Sequence, residues 1–487
     1  MKKQVFNPFL PLTEYIPDGE PHVFGDRVYL YGSHDKAGAE RFCVQDYTVW
    51  SAPVEDLSNW RCHGVSYRKE QDPRSKPGKP VDFYAPDCVR GNDGRYYLYY
   101  CAMGPNTRNF GPMSVAVSDC PEGPFTYLGD VRNPDGTPML RFLTNDPAVI
   151  NDEGHIRLYY GWSINRDFRN RFLSPLYNLV QSRIFLRDIS EIKNTKPNIN
   201  GCAYAELEED MLTVKGEPKL ILDSITTAPK GSLLYKHPFY EAASIRKIGE
   251  LYYLVYSSGR DNALAYATSP FPDRGFECRG VIISNADLGL NGNRIPKAPA
   301  GTIHGGIEAI NGQYYIFYHR CTHTTDFSRQ ACAEPIEIAA DGTIRQVEIT
   351  SCGLNGKPLT VEEVYPASIC CNLYTGKRIS LGLRHRGKYP QIIEENGVQI
   401  VSNAYAGTTI VYKYFDFSNA KTLTLRVRGR GTVCIHGEEI KVNTNRFTAF
   451  ACPLNKAGTG ALMIEIRSGR LDILDFLFGG EHAAATN

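Results

Sequence analysis

The chain has 487 residues, of which 42% are hydrophobic and 22% charged, so it can bury a sizeable core and is long enough for one large domain and a smaller one. Its 54 Lys and Arg against 53 Asp and Glu leave a net charge of +1, which excludes the basic footprint of a nucleic-acid binder. No stretch reaches the roughly 18 consecutive apolar residues of a membrane helix, and no apolar run follows the opening Met-Lys-Lys-Gln-Val, so a cytoplasmic protein is expected. Fourteen scattered cysteines without CxxC pairs agree with a reducing compartment.

Thirty Tyr, 22 Phe and 44 Gly favour short aromatic strands punctuated by turns, and predict an all-β protein. In chain order, one hairpin pattern recurs five times. Gly25-Asp26-Arg27-Val28-Tyr29-Leu30-Tyr31 is followed by Asp93-Gly94-Arg95-Tyr96-Tyr97-Leu98-Tyr99 and by Gly154-His155-Ile156-Arg157-Leu158-Tyr159. Gly249-Glu250-Leu251-Tyr252-Tyr253-Leu254-Val255-Tyr256 and Asn311-Gly312-Gln313-Tyr314-Tyr315-Ile316-Phe317-Tyr318 complete the set. With Leu30, Leu98, Leu158, Leu254 and Ile316 taken as equivalent, the steps are 68, 60, 96 and 62 residues. Five units of this size predict a five-bladed β-propeller, with an insertion within about residues 165–235.

The first strand of each propeller blade lines the central channel. Asp18, Asp87, Asp146, Glu241 and His304 lie 12, 11, 12, 13 and 12 residues before the five equivalent positions, and all five are ionisable. Charge gathered in such a channel is costly unless it binds or catalyses. After about residue 345 the Tyr-Tyr hairpins stop and alternating strands such as Thr422-Leu423-Thr424-Leu425-Arg426-Val427-Arg428 begin. Residues 1–345 are therefore expected to form the propeller and 346–487 a β-sandwich packed against it.

These residues resemble glycoside hydrolase family 43, five-bladed propeller enzymes acting on xylan- and arabinan-derived sugars. The resemblance covers about residues 5–345 and rests on Asn7-Pro8, Pro17-Asp18, Tyr84-Ala85-Pro86-Asp87, Asn145-Asp146-Pro147, Glu241 before the fourth hairpin, and His304-Gly305-Gly306 before the fifth. It implies Asp18 as general base, Glu241 as general acid, and Asp146 as the residue that adjusts the acid's pKa. Glu20 and Asp35 are further acids near the base, and Gly19-Glu20-Pro21 departs from the family's usual Pro after the basic Asp. The implied reaction is inverting hydrolysis of terminal xylose or arabinofuranose from short plant-cell-wall oligosaccharides, with no cofactor required for the chemistry. In such a reaction one carboxylic acid protonates the departing oxygen while a carboxylate activates water on the opposite face of the sugar.

Other residues admit two readings each. Asp87 either bonds neighbouring backbone N–H groups or contacts substrate, and Tyr84 and Phe83 form either an apolar floor for the sugar or aromatic core. His34, Asp35 and Arg320 are candidates for sugar hydroxyls or for structural pairing. His304 is either a buried, hydrogen-bonded histidine or, as the resemblance implies, a ligand for a channel calcium, partly through water. Gly458 to Phe478 resembles the end of a family 6 carbohydrate-binding module, yet no Trp follows Trp162, and a buttressing role is expected. Two rivals remain: a sugar-binding propeller without turnover, which has no need of a proton donor, and a related five-bladed glycosidase or phosphorylase, the latter needing a basic phosphate cluster that the motifs lack.

Overall fold

Single aromatic hairpins leave one face wet, and stacking them around an axis covers both. The computed structural model describes residues 3–104, 110–170, 172–260, 262–377, 379 and 387–480. The first blade is an antiparallel meander of β1 (Glu20–Phe24), β2 (Arg27–Tyr31), β3 (Tyr47–Pro53) and β4 (Arg61–Tyr67). The second contains β5 (Asp82–Arg90), β6 (Tyr96–Met103), β7 (Ser114–Ser118) and β8 (Thr126–Asp130). The third contains β9 (Ala148–Asp152), β10 (His155–Trp162), β11 (Gly201–Leu207) and β12 (Lys219–Asp223), with helices α1 (Ser174–Phe185) and α2 (Ile189–Ile192) inserted between β10 and β11. The fourth has β13 (Glu241–Ile248), β14 (Leu251–Ser258), β15 (Ala263–Ser269) and β16 (Glu277–Ser284), and the fifth has β17 (Ile307–Ile310), β18 (Gln313–Cys321) and β19 (Arg329–Ile336). The inner strands touch in turn, and β17 returns to β1, closing the ring.

The hairpin motifs occupy the predicted places. Leu30, Leu98, Leu158, Leu254 and Ile316 all sit on second strands, and their partners across the hairpin are Pro21, Cys88, Val149, Ile245 and Ile307. Two of the connecting turns, Glu153-Gly154 and Asn311-Gly312, have positive φ at both central residues (54° and 91°, 51° and 79°), as a two-residue hairpin turn of type I′ requires. The core lies in the seams between blades. Tyr29, Tyr31, Tyr47, Phe83 and Tyr100 fill the first, and Val5, Phe9, Leu30, Trp50 and Phe317 fill the last. Buried tyrosines need a partner for their hydroxyl, and here it is a neighbouring blade: Tyr31 donates to Pro121 O at 2.6 Å, Tyr99 to Met211 O at 2.7 Å and Tyr159 to Pro272 O at 2.9 Å.

The start of the chain clasps the last blade. Phe9 N donates to Ala331 O at 3.2 Å, while the fully buried Asn7 gives Nδ2 to Ala333 O at 2.9 Å and accepts Ala333 N at 3.0 Å. The C-terminal part is a sandwich of β20 (Val364–Pro366), β21 (Asn372–Tyr374), β22 (Gln391–Glu395), β23 (Val398–Tyr405), β24 (Thr409–Asp416), β25 (Thr422–Ile435), β26 (Glu438–Pro453) and β27 (Thr459–Gly479). Its long last strand pairs with β25 along one edge and with β24, β23 and β20 in succession along the other. The two parts are packed together as expected. Arg320 Nη2 donates to Cys370 O at 2.7 Å, Asn372 Nδ2 to Asp287 Oδ2 at 3.0 Å, and Gln4 Nε2 to Tyr365 OH at 2.7 Å.

Candidate active site

At the mouth of the channel the chain enters four inner strands through a left-handed residue: Asp18 (φ 55°), Ala85 (φ 37°), Asp146 (φ 47°) and Ala242 (φ 64°). Each lies three residues before the hairpin partner of its anchor. These non-glycine residues at positive φ mark a backbone held by its surroundings, a common property of functional sites. Asp18, Asp146 and Glu241, at or beside these kinks, and His304 of the fifth blade line one cavity of about 170 Å³, walled also by Tyr84, Phe42, Phe110, Trp162, His319 and Arg329. A second cavity of about 350 Å³ shares Phe42, Glu241 and Thr302 with the first and is lined further out by Asn165, Asp326 and Ile379, the last from the C-terminal part. Glu241 thus stands between the two.

The electrostatics separate the acids. Burial of Asp18 would raise its pKa, but the Arg329 and His304 cations outweigh it and bring the carboxyl down to about 2. Arg329 Nη1 lies 2.8 Å from Asp18 Oδ1 and His304 Nδ1 3.9 Å from the same oxygen. His319 is neutral, its pKa driven by burial to about 3, and its Nδ1 accepts the Asp18 backbone N–H at 3.1 Å. Glu241 moves the other way. Burial and then the Asp146 carboxylate push it to about 8, so it carries a proton near neutrality. Burial likewise raises Asp146, to about 6, against the pull of His304 and a backbone N–H from Ala242 at 2.9 Å. Burial alone would lower His304, yet the carboxylates of Glu20, Asp146 and Asp18 raise it to about 9.

Five of the sequence-predicted residues therefore meet: Asp18, Asp146, Glu241, His304 and Tyr84. The others stand elsewhere. Asp87 is two residues deeper on its strand than Ala85, the residue equivalent to Asp18, because its offset of 11 is one short of 12 and because the longer turn between Arg90 and Tyr96 puts the partner of Leu98 ten residues back, against nine for Leu30. It is fully buried and accepts N–H from Cys88 and Val149, both at 2.7 Å, with His22 Nε2 at 2.6 Å, so the backbone-bonding reading holds and substrate contact does not. Phe83 points away from Tyr84, as alternation on a strand demands, and packs between Tyr47 and Tyr67 in the core. Asp35 is buried under Arg329, which it holds through Nε at 2.8 Å and Nη2 at 3.1 Å. His34 bonds Asp46 O at 2.8 Å outside the cavity, and Arg320 faces the C-terminal part.

Arg329 and His319 escaped the sequence reading although their signal is present. On β18, His319 and Arg320 point to opposite faces, and Arg329 on β19 pairs with Cys321, which shares the face of His319. Period two along Tyr318-His319-Arg320-Cys321 therefore selects Arg329 rather than Arg320 for the channel.

Below the cavity, Glu20, His22 and Asp87 offer ligand atoms within 4.8 Å of one another. Asp87 is already occupied by His22, and Glu20 Oε2 by Ser244 at 2.9 Å and Arg246 at 3.3 Å. The open atoms are Glu20 Oε1 and His304 Nε2, 3.7 Å apart and without a hydrogen-bond partner among the described residues. Glu20 Oε1 is the oxygen a calcium ion would use here, since calcium takes about six to eight oxygens, whereas His304, cationic at neutral pH, would have to give up its proton before it could accept a hydrogen bond from a metal-bound water.

Comparison with known proteins places this arrangement. The family model of glycosyl hydrolases family 43 matches residues 7–344. A protein of Thermoclostridium stercorarium named xylosidase/arabinosidase is 41% identical over 463 residues, covering 91% of this chain and 89% of its own length. One of Bacteroides ovatus with the same name is 29% identical, over 70% of this chain and 97% of the relative. A crystal structure of a β-xylosidase/α-arabinofuranosidase from a compost metagenome, solved with xylotriose in a calcium-free form, superposes with a TM-score of 0.52 at 27% identity, over 70% of this chain and 96% of that one. With a buried acid and a buried carboxylate facing one cavity and the family model spanning the whole propeller, this chain belongs to glycoside hydrolase family 43.

Proposed function

We propose that the enzyme is an inverting exo-glycosidase that removes terminal xylose or arabinofuranose from plant-cell-wall-derived oligosaccharides. The observation carrying the reading is the divergence of two carboxyl groups in one cavity, Asp18 near 2 and Glu241 near 8. At neutral pH the first is a base without its proton and the second an acid with one, the pairing that hydrolysis of a glycosidic bond needs. The small cavity, about 170 Å³, suits a single sugar ring, and the larger one beyond Glu241 suits the departing part of the chain. The names of the relatives, xylosidase/arabinosidase, support the choice of sugars.

In the proposed reaction Asp18 takes a proton from water as its oxygen bonds to the anomeric carbon. The glycosidic C–O bond breaks on the opposite face, and Glu241 gives its proton to the departing oxygen. Asp146 keeps Glu241 protonated, and Arg329 keeps Asp18 ionised. Both carboxyls then return to their starting states by proton exchange with water. Trp162, Phe110 and Tyr84 offer apolar surface to the sugar's C–H faces. A calcium ion, as the resemblance implies, would be held by Glu20, with His304 reaching it through water once the imidazole is neutral, and would supply there the positive charge that the protonated His304 otherwise carries. The C-terminal part buttresses the propeller and lends Ile379 to the outer cavity. A cytoplasmic site of action belongs to the same proposal, and the fourteen free thiols support it.

The test follows hydrolysis of an aryl β-xyloside by proton NMR, with an aryl α-L-arabinofuranoside as second substrate. Release of α-xylose as the first product is expected. First release of the β anomer would overturn inversion, and no turnover of either substrate would overturn the choice of sugars.

A further inference from the structure

The insertion in the third blade carries a helix whose polarity is reversed. The side chains of α1 that turn toward the protein are Asn178, Gln181 and Phe185. Asn178 Oδ1 and Gln181 Oε1 are buried there without a hydrogen-bond partner among the described residues. The outward face instead bears Leu176, Val180 and Ile184 at helical spacing, continued by Phe172 and Leu173 before the helix and Leu186 after it, all between 46% and 99% exposed. For side chains on the order of 150–200 Å² each, this face presents roughly 600 Å² of apolar surface. The largest patch on a typical monomer is about 300–600 Å², and each partner in a standard interface contributes about 800 Å². Propensity does not account for the helix either, since twelve residues are marginal alone and gain stability chiefly by burying an apolar face.

We propose that this face is covered by the same face of a second copy, α1 against α1 across a two-fold axis. Three observations favour that occupant. The exposed area approaches what one partner of a stable dimer buries. The Leu176, Val180, Ile184 stripe is self-complementary, as an isologous contact requires, and antiparallel pairing also sets the two helix dipoles head to tail. A helix lying on a membrane would carry a cationic polar face, whereas α1 has a single charged side chain, Arg183. The contact would lie close to the chemistry. Phe185, on the inner side of α1, packs against Phe110 and Trp162 with ring centroids 5.4 and 5.7 Å away, and both of these wall the catalytic cavity. Pairing would thus brace that wall from behind.

Sedimentation equilibrium of the full chain tests this. The expected mass is twice the 54.5 kDa of one chain, with a dissociation constant of about 1 μM or tighter. The double substitution Leu176→Glu with Val180→Glu buries like charges at the contact and should weaken association at least about 100-fold, while Met463→Glu, at an exposed apolar position on the sandwich, should leave it unchanged. Should the double variant misfold, Val180→Cys keeps the question open to decision: under mild oxidation it should give a covalent dimer, and Met463→Cys should not. A single 54.5 kDa species at all concentrations, a dimer indifferent to the double substitution, or binding of the wild type to phosphatidylcholine vesicles in place of self-association would overturn the proposal.

Discussion

Two layers of ionisable side chains line the same channel, one pleat apart, and they meet opposite fates. In the lower layer Asp87 is matched by His22 and two backbone N–H groups, and Glu20 by Arg246 and Ser244. Burial would raise Asp87, but the His22 contact outweighs it and its pKa is lowered. In the upper layer only Asp18 has a full counter-cation. Glu241 has Asp146 as its chief charged neighbour and stays protonated. Residue type is therefore no guide to role here. A buried carboxyl surrounded by donors holds the ring together, and one left beside another carboxylate becomes a proton source.

The difference can be broken at several points. Glu241→Gln and Asp18→Asn, both in the upper layer, should each lower kcat about 100- to 10,000-fold, with folding intact by circular dichroism. The Glu241→Gln loss should shrink for aryl glycosides whose leaving group needs no proton, and turnover within tenfold of wild type in both variants would refute their roles. Next in size is Arg329→Met, which strands Asp18 and Asp35 together without their shared cation. Breaking a buried pair costs about 3–5 kcal/mol, to be read from urea unfolding, and the Asp18 pKa should rise, bringing an acid limb into the pH–rate profile.

Asp87→Asn in the lower layer should cost about 1–3 kcal/mol while changing kcat no more than about threefold. Its folded pKa is depressed, so the carboxylate's contribution is present at neutral pH and is lost as pH falls through that depressed value. The gap between wild type and variant should therefore close in acid. The smallest effect is the sharpest. Because the Asp146 carboxylate raises Glu241, Asp146→Asn should move the alkaline limb, near 8 in the wild type, to lower pH. A limb that stays in place would mean that burial alone protonates Glu241.

The repeat was legible because each hairpin writes its turn and its aromatic strand into a few contiguous residues. Asp18, Asp146 and Glu241 were found by counting back from the same hairpins, two residues before β1 and β9 and at the first residue of β13. Asp87 was grouped with Asp18 because residue counting cannot see the length of a turn: the longer turn between Arg90 and Tyr96, together with an offset of 11 set beside 12, puts its side chain one layer down. For Phe83 and Arg320 two readings stood open, although alternation with Tyr84 and His319 already separates them from the channel face. The reversed helix α1 went unread because Leu176, Val180 and Ile184 form an ordinary amphipathic pattern, and only the position of the propeller tells which side it presents.

Local sequence carried the fold class, the five blades, the change of architecture near residue 345 and the identity of three carboxyl groups, since turns, strand periodicity and short motifs depend on near neighbours. Assembly decided which carboxylate keeps a proton, which cation answers it and where each cavity opens. Those outcomes depend on Arg329 meeting Asp18 across 311 residues of chain and on Asp146 meeting Ala242 across 96, and on how much water is excluded when they do. Desolvation and charge pairing are properties of the closed ring, and no stretch of the chain contains them alone.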